Sequence, residues 1–370
     1  MALPRTLTAL ATAALLACAP AAAQEPRVIN PASFYPEGPL WHDGKLYYVE
    51  YAAHTVMTWD GTANTQIWMQ DGCGPSGLVA TAKGELLVAC YDNNTIVRID
   101  GSGQTLDTIP ADSNGETFLG PNDFARDALG GIYFSASGVF DTDAAIRGRI
   151  YYIAPDGQIR PVAYLLHYPN GLALTDDGRT LLASEHLAGR ILRFEVQPDG
   201  SLGNRKVFRR LQDLAPLPAE ADAYTGPDGL EVDDEGNVYI CQYGAGRVLV
   251  TDREGKPLRQ IDVPADFVTN LAFGPDQKTV YITAAQDAWT APYVPVLFLI
   301  VVAVLFAFGF AKIAGRIGRS PALWAILSLI PLVNYIFWIY ATFVILLHML
   351  DRLNGISARL GGATAPGGRA

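Results

Sequence analysis

Six times between residues 35 and 273 the chain returns to one short opening, and that recurrence limits what it can fold into more than any other feature. The openings read YPEGPLW, CGPSGLV, LGPNDFA, YPNGLAL, TGPDGLE and FVTNLAF. Each is followed by a tight turn and a more apolar run, such as KLYYVEY, ELLVACY or NVYICQY, and most repeats add a third run such as TIVRID or GRVLVTD. Alternating β-branched and aromatic residues with Gly, Asp and Asn at the joints are hairpin signals. Self-similarity at this period means stacked supersecondary units that share a core with their neighbours. Six repeats of three or four strands predict an all-β, six-bladed β-propeller over residues 24–291, with the first strand of each blade lining the central channel. The sixth repeat has only VTNLAFGP and TVYITAA, and the segment RVINPASFY (27–35) can close the ring as an outer strand from the other terminus.

The openings also align one polar position per blade at a channel mouth: Glu37, Ser76, Asn122, Asn170, Asp228 and Asn270. Asp228 sits in a Pro-Asp-Gly, by default a turn tripeptide. Two other copies, Pro155–Gly157 and Pro198–Gly200, follow strand-like runs and read as hairpin turns, whereas Asp228 occupies the channel-facing register. A ring of Ser and Asn could merely cap local backbone. Two carboxylates facing one another across an axis repel unless a cation neutralises them. Oxygen donors, some of them neutral amides, suit a hard ion. Calcium, which tolerates irregular shells of six to eight oxygens, fits better than magnesium.

Charge and apolar runs divide the chain. Of the net charge of −10, Arg5 contributes +1 and residues 292–370 contribute +5, so residues 24–291 carry −16. An acidic domain is ill suited to nucleic acid, which needs a basic surface. Residues 1–23, with one early Arg, an apolar centre and Ala21-Ala22-Ala23, have the form of a cleavable export signal. Cys18 in LLAC offers lipid attachment as the alternative to cleavage after Ala23. Residues 292–314 and 322–350 are apolar runs long enough to cross a bilayer, predicting two transmembrane α-helices in a hairpin over 292–350 and a flexible tail over 351–370. Lys312, Arg316 and Arg319 in the short loop place that loop in the cytoplasm. The expected location is therefore the bacterial inner membrane with the propeller in the periplasm, although Arg352, Arg359 and Arg369 of the tail then lie outside. Cys73 and Cys90 flank hairpin partners and could meet as a disulfide, which export permits. Cys241 reads as a small core residue.

YPEGPLW, GPNDF, YPNGLAL and GPDGLEVDDEGNVY, in this order, resemble the SMP-30/gluconolactonase-like family of six-bladed propellers, which includes regucalcin-type lactonases and squid-type organophosphate hydrolases. The resemblance covers roughly residues 30–290. It implies one catalytic Ca2+ held by Glu37, Asn170 and Asp228, with Asn122 completing the shell or contacting substrate. It also implies Asp228 as the catalytic carboxylate, acting as base or nucleophile. Ser76 and Asn270 are the further candidates for substrate contact. Sugar-lactonase members carry an Arg two residues before the third-blade Asn, where this chain has Gly120. The inserts at 140–149 and 214–226 are expected to overhang the mouth. Phe34, Tyr35, Trp41, Phe124, Phe140, Tyr168 and Tyr224 would suit a less polar substrate, while His167, His186 and Glu185 receive no role. The expected function is membrane-tethered, calcium-dependent hydrolysis of lactones or related esters, with a small-molecule substrate. The alternatives are a non-catalytic propeller that binds a ligand or protein, and an active helical hairpin.

Overall fold

The computed structural model describes residues 26–175, 177–286 and 320. The expected signal, both apolar spans and the tail lie outside them. Among the described residues no helix is long and apolar enough to cross a membrane.

Those residues form an all-β propeller. The first sheet holds β1 (Pro36–His42), β2 (Lys45–Glu50), β3 (Thr55–Trp59) and β4 (Asn64–Met69). The second holds β5 (Pro75–Ala80), β6 (Leu86–Cys90), β7 (Thr95–Ile99) and β8 (Thr105–Ile109). The third holds β9 (Pro121–Arg126), β10 (Ile132–Ala136), β11 (Gly148–Ile153) and β12 (Ile159–Leu166), and the fourth β13 (Pro169–Leu174), β14 (Thr180–Glu185), β15 (Arg190–Val196) and β16 (Leu202–Arg210). In the fifth, β17 (Gly226–Val232), β18 (Val238–Tyr243), β19 (Arg247–Thr251) and β20 (Pro257–Asp262) follow the same order.

The sixth repeat departs from the expectation of a separate sheet. Its two strands, β21 (Phe267–Phe273) and β22 (Val280–Ala285), join the fifth sheet through the single pair Tyr243↔Phe267, so five sheets are found rather than six. Residues 27–35 form no strand and therefore do not close the ring as an outer one. Asn30 instead donates to the Tyr48 hydroxyl at 2.8 Å, and Asn64 to the Ile29 carbonyl at 2.8 Å, so the segment ties itself to the first sheet by side chains.

The opening strands β1, β5, β9, β13, β17 and β21 nevertheless pack each on the next, and β21 on β1. Buried clusters fill the gaps between successive sheets, for example Val49, Val56, Leu78 and Val88 between the first two. Each fully buried side chain of this kind stabilises by about 1.5–3 kcal/mol. The junction of β21 and β22 with the first sheet differs: it is made by the stacked rings of Trp41 and Tyr281, 5.4 Å apart, and by Thr269 Oγ1 donating to the Pro36 carbonyl at 2.8 Å. Cys73 and Cys90 form the anticipated disulfide at the β5–β6 edge. Cys241 is a buried free thiol, as its setting in an apolar strand implies.

Candidate active site at the channel mouth

Every opening strand breaks register at or beside its ring residue. The pairing skips between Glu37 and Leu40, Pro75 and Gly77, Pro169 and Leu172, Pro227 and Leu230, Val268 and Asn270, and opposite Phe134–Ala136 for β9. A bulge bends the strand and re-aims a side chain, and here the same device recurs around one axis. The residue after the ring position is glycine in four openings because neighbouring strands nearly touch. A Cβ at Gly77 would lie 2.2 Å from the Asn122 carbonyl oxygen, and one at Gly171 would lie 2.3 Å from that of Asp228.

Backbone carbonyls freed by the bulges are taken up by hydroxyls of the preceding blade. Ser76 Oγ donates to the Pro121 carbonyl at 3.0 Å, Ser137 Oγ to Pro169 at 2.6 Å and Ser184 Oγ to Asp228 at 2.6 Å. These ties rigidify the ring, since a buried carbonyl without a donor carries a desolvation cost. Ser137, Ser184 and Thr269 escaped the sequence reading. Their signal was a small hydroxyl residue at the close of a second strand, as in FSAS and LLASE, or just before a ring residue, as in VTN.

The six ring positions are not equivalent. Asp228 is 3% exposed, and neither carboxylate oxygen has a hydrogen-bond partner among the described residues. Burial pushes its carboxyl well above the usual range, with Glu37 and then Asp123 adding repulsion. Glu37 is half-buried and is pushed up to about 8 by burial and then by Asp123, against the opposing pull of a long 3.4 Å contact from the Gly38 amide and of the Thr269 hydroxyl. Asn170 is buried with its side-chain amide unpartnered among the described residues. Asn122 donates through Nδ2 to Ser137 at 3.1 Å, which leaves its oxygen open. None of the ion pairs among the described residues involves Glu37, Asp123 or Asp228.

Ser76 and Asn270 stand apart. Ser76 spends its hydroxyl on backbone carbonyls, and Asn270 Oδ1 accepts the Leu271 amide at 2.8 Å. Asn270 also lines a cavity of about 280 Å³ along the channel, together with Asp123 and Glu231. In that cavity Asp123 is raised to about 6 and Glu231 to about 8, both chiefly by burial.

Above the carboxylates stands a wall of rings. Phe140 lies 4.8 Å from Tyr168, 5.1 Å from Tyr224 and 5.3 Å from His186, centroid to centroid, so the two expected inserts meet over the mouth. His186 binds the Tyr224 carbonyl through Nε2 at 2.8 Å, and burial lowers its pKa to about 4, so it is neutral. Glu185, beside it, is paired with Arg190 at 2.5 Å and accepts the His167 amide at 2.8 Å. Trp41 and Phe124 are not part of this wall: Trp41 stacks on Tyr281, and Phe124 packs in the core between the second and third sheets.

Backbone strain marks the same rim. Tyr35 and Tyr168 hold φ of 58° and 61°, where the equivalent residues of the second and third openings are Gly74 and Gly120. Such a conformation costs a side-chain-bearing residue roughly 1–2 kcal/mol, and strain of this kind collects at functional sites.

The donor set fits a hard cation. It offers two carboxylates and two amide oxygens at one mouth, no basic side chain paired with the acids, and acceptors left without donors. Among the described residues no three His, Cys, Asp or Glu side chains converge on one point, so an ion here would draw on amide oxygens as well. Calcium, which accepts neutral oxygens and irregular shells, matches that chemistry.

A propeller with paired acids buried at one mouth of its channel defines the class. The signature of the SMP-30/Gluconolactonase/LRE-like region matches residues 35–286, and the chain belongs to that family. It is 30% identical over 210 residues to a lactonase, drp35, of Staphylococcus saprophyticus, covering 54% of this chain and 60% of the relative. It is 26% identical over 263 residues to the pentonolactonase XacC of Haloferax volcanii, covering 70% of this chain and 84% of that one. The chain thus spans only about two-fifths to three-fifths of the staphylococcal lactonases it matches. Among solved structures, a gluconolactonase from Xanthomonas campestris is similar with a TM-score of 0.58 and 25% identity, over 68% of this chain and 84% of that one. A regucalcin from Agrobacterium tumefaciens, at 19% identity and a TM-score of 0.55 over 69% of this chain and 84% of that one, shares the fold.

Proposed function

We propose that this protein hydrolyses lactones or related esters with calcium bound at the channel mouth, and that Glu37, Asn170, Asp228 and Asn122 hold the ion. The observation that carries the reading is the burial of Asp228 near Glu37 and Asp123, whose charges push its carboxyl up further, with no basic side chain among the described residues paired to any of the three. The names of its lactonase relatives support the substrate class.

Calcium at this site would polarise the carbonyl and balance the charge that develops on its oxygen. Asp228 stands at the edge of the donor set, where it takes the proton of an attacking water or attacks the carbonyl carbon itself. With water as the nucleophile the ring C–O bond breaks and the ring oxygen takes up the proton, giving the hydroxy acid directly; with Asp228 as the nucleophile the ring oxygen leaves and is protonated from solvent, and a water then hydrolyses the mixed anhydride on Asp228 to release the hydroxy acid and restore the carboxylate. Ser137 fixes the Asn122 amide, and Ser184 fixes the Asp228 backbone, so the donors are oriented in advance, the condition under which fixed dipoles assist most. Ser76 and Asn270 act here as positioning residues.

Two further assignments belong to this reading: β21 and β22 count as a sixth, two-stranded blade, and the runs at 292–350 tether the propeller to the bacterial inner membrane with its mouth in the periplasm. The first rests on the ring of opening strands, the second on the sequence alone.

The test is a lactone and aryl-ester panel on the purified full chain, with calcium binding followed by calorimetry. Turnover that is lost on chelation and in a folded Asp228→Asn variant is the expected result. Calcium binding with no turnover on any ester would instead make the propeller a binding platform.

A further inference from the structure

The wall over the carboxylates carries few polar atoms available to a ligand. The Tyr35 and Tyr243 hydroxyls bond one another at 2.6 Å. Tyr51 donates to Asp92 at 2.7 Å, Tyr91 to the Gly138 carbonyl at 2.6 Å, and Tyr168 bonds the Tyr91 hydroxyl. His186 has Nε2 engaged by the Tyr224 carbonyl, which leaves Nδ1 as a buried acceptor without a partner among the described residues. The wall therefore offers mainly ring faces, and its remaining polar capacity is limited to His186 Nδ1, the Tyr224 hydroxyl and the spare lone pairs of phenols already bonded to protein groups. The wall stands against the strand that carries Asp228: a Cβ at Gly226, two residues before it, would lie 2.7 Å from Cδ2 of His186.

Gly120 sharpens the point. Its φ is 61°, and a Cβ there would lie 2.6 Å from Cε2 of Tyr91. No side chain therefore extends from this position, which the Tyr91 ring covers. Phe140 is the hub of the wall, touching Tyr168, His186 and Tyr224, with Tyr243 at 6.2 Å.

Resting on the lactonase reading above, we propose that the substrate is a lactone bearing an apolar ring or chain beside its carbonyl, that polyhydroxylated lactones are rejected, and that Phe140 is the residue that makes the selection. The physical reason is asymmetric. Apolar surface gains by leaving water for the ring faces, whereas each buried hydroxyl without a partner loses its hydration with no return.

Three five-membered lactones separate the outcomes: γ-butyrolactone, α-phenyl-γ-butyrolactone and D-ribono-1,4-lactone, assayed on the calcium-loaded full chain. The phenyl compound is expected to exceed the ribonolactone in kcat/KM by on the order of a hundredfold or more, as apolar burial and unpaired hydroxyls combine. In Phe140→Ser the ratio of phenyl to unsubstituted lactone should fall by about tenfold, and Phe140→Leu should restore part of it. Calorimetric binding of the same compounds to Asp228→Asn, which does not consume them, should rank them in the same order. Equal or better use of ribonolactone, or an unchanged ratio in a folded Phe140→Ser chain, overturns the inference and leaves the hydrolase intact. If no lactone is turned over, the proposed function falls, and the calorimetric ranking still decides the preference.

Discussion

Pro-Asp-Gly occurs three times in the propeller, and the same three residues do opposite things. In the β11–β12 and β15–β16 hairpins the Asp caps its own turn: Asp156 accepts the Gln158 amide at 3.0 Å, and Asp199 accepts the Ser201 amide and hydroxyl at 3.0 and 2.7 Å. Those bonds to Ser201 lower the pKa of Asp199. The glycines that follow, Gly157 and Gly200, hold φ of 89° and 79°, the freedom the turn demands. In β17 nothing local satisfies Asp228, and burial drives its carboxyl upward. Gly229 is needed there for close approach rather than for backbone freedom, since a Cβ would lie 2.1 Å from Asn270 Oδ1. A tripeptide is thus a turn when its own backbone answers the carboxylate and a candidate ligand when only other blades can.

The comparison can be broken most directly at the acids. Asp228→Asn should reduce lactone hydrolysis by on the order of a thousandfold, the upper range for losing a base or nucleophile, while Asp199→Asn keeps wild-type initial rates. Equal losses in both variants would mean that the distinction drawn between them is unfounded. Next in size is the effect of the ion on stability. Calcium at a hundred times its dissociation constant should stabilise the wild type by about 2.7 kcal/mol, several degrees in a thermal melt, and should shift Asp228→Asn far less.

Glycine separates the copies again. Gly229→Ala must push Asn270 aside and should cost about 1–3 kcal/mol by overpacking, with weakened calcium binding by calorimetry. Gly157→Ala meets nothing within 4 Å. It should pay only for its backbone angle and bind calcium normally. The comparison extends to pH dependence. Glu37 keeps its proton in the fold up to about 8, against an ordinary 4.5. Between those values the unfolded chain has released a proton that the folded one retains, so stability falls as pH rises through that window. Melting temperatures of the metal-free protein should therefore decline from about pH 4.5 to about pH 8, and calcium should flatten the slope.

Much of this was legible beforehand because it is written locally. Hairpins follow from alternation and turn residues, so the opening strands and the Cys73–Cys90 pairing could be read from KLYYVEY-like runs and their spacing. The count of sheets could not. Whether β21 and β22 stand alone depends on one pair between Tyr243 and Phe267, and residues 27–35 look strand-like yet bind the first sheet through side chains. The site was legible as a column of polar residues, but Ser76 and Asp228 look alike in that column. Only the preceding or following blade shows that the Ser76 hydroxyl is spent on backbone carbonyls and that the Asp228 carboxylate is not satisfied. Trp41 and Phe124 are near Glu37 and Asn122 in sequence but not at the mouth, because a strand carries successive residues away from it at about 3.3 Å each.

By itself, the sequence determined the repeat, the β class and which side chains could present oxygen to the axis, since period and residue type are properties of short segments. The tertiary structure decided which of those oxygens remain unpaired, which glycines are close-approach positions and which rings meet across the mouth. Those outcomes depend on groups from different blades arriving within a few ångströms of one another, and no segment contains the information about its neighbour across the channel.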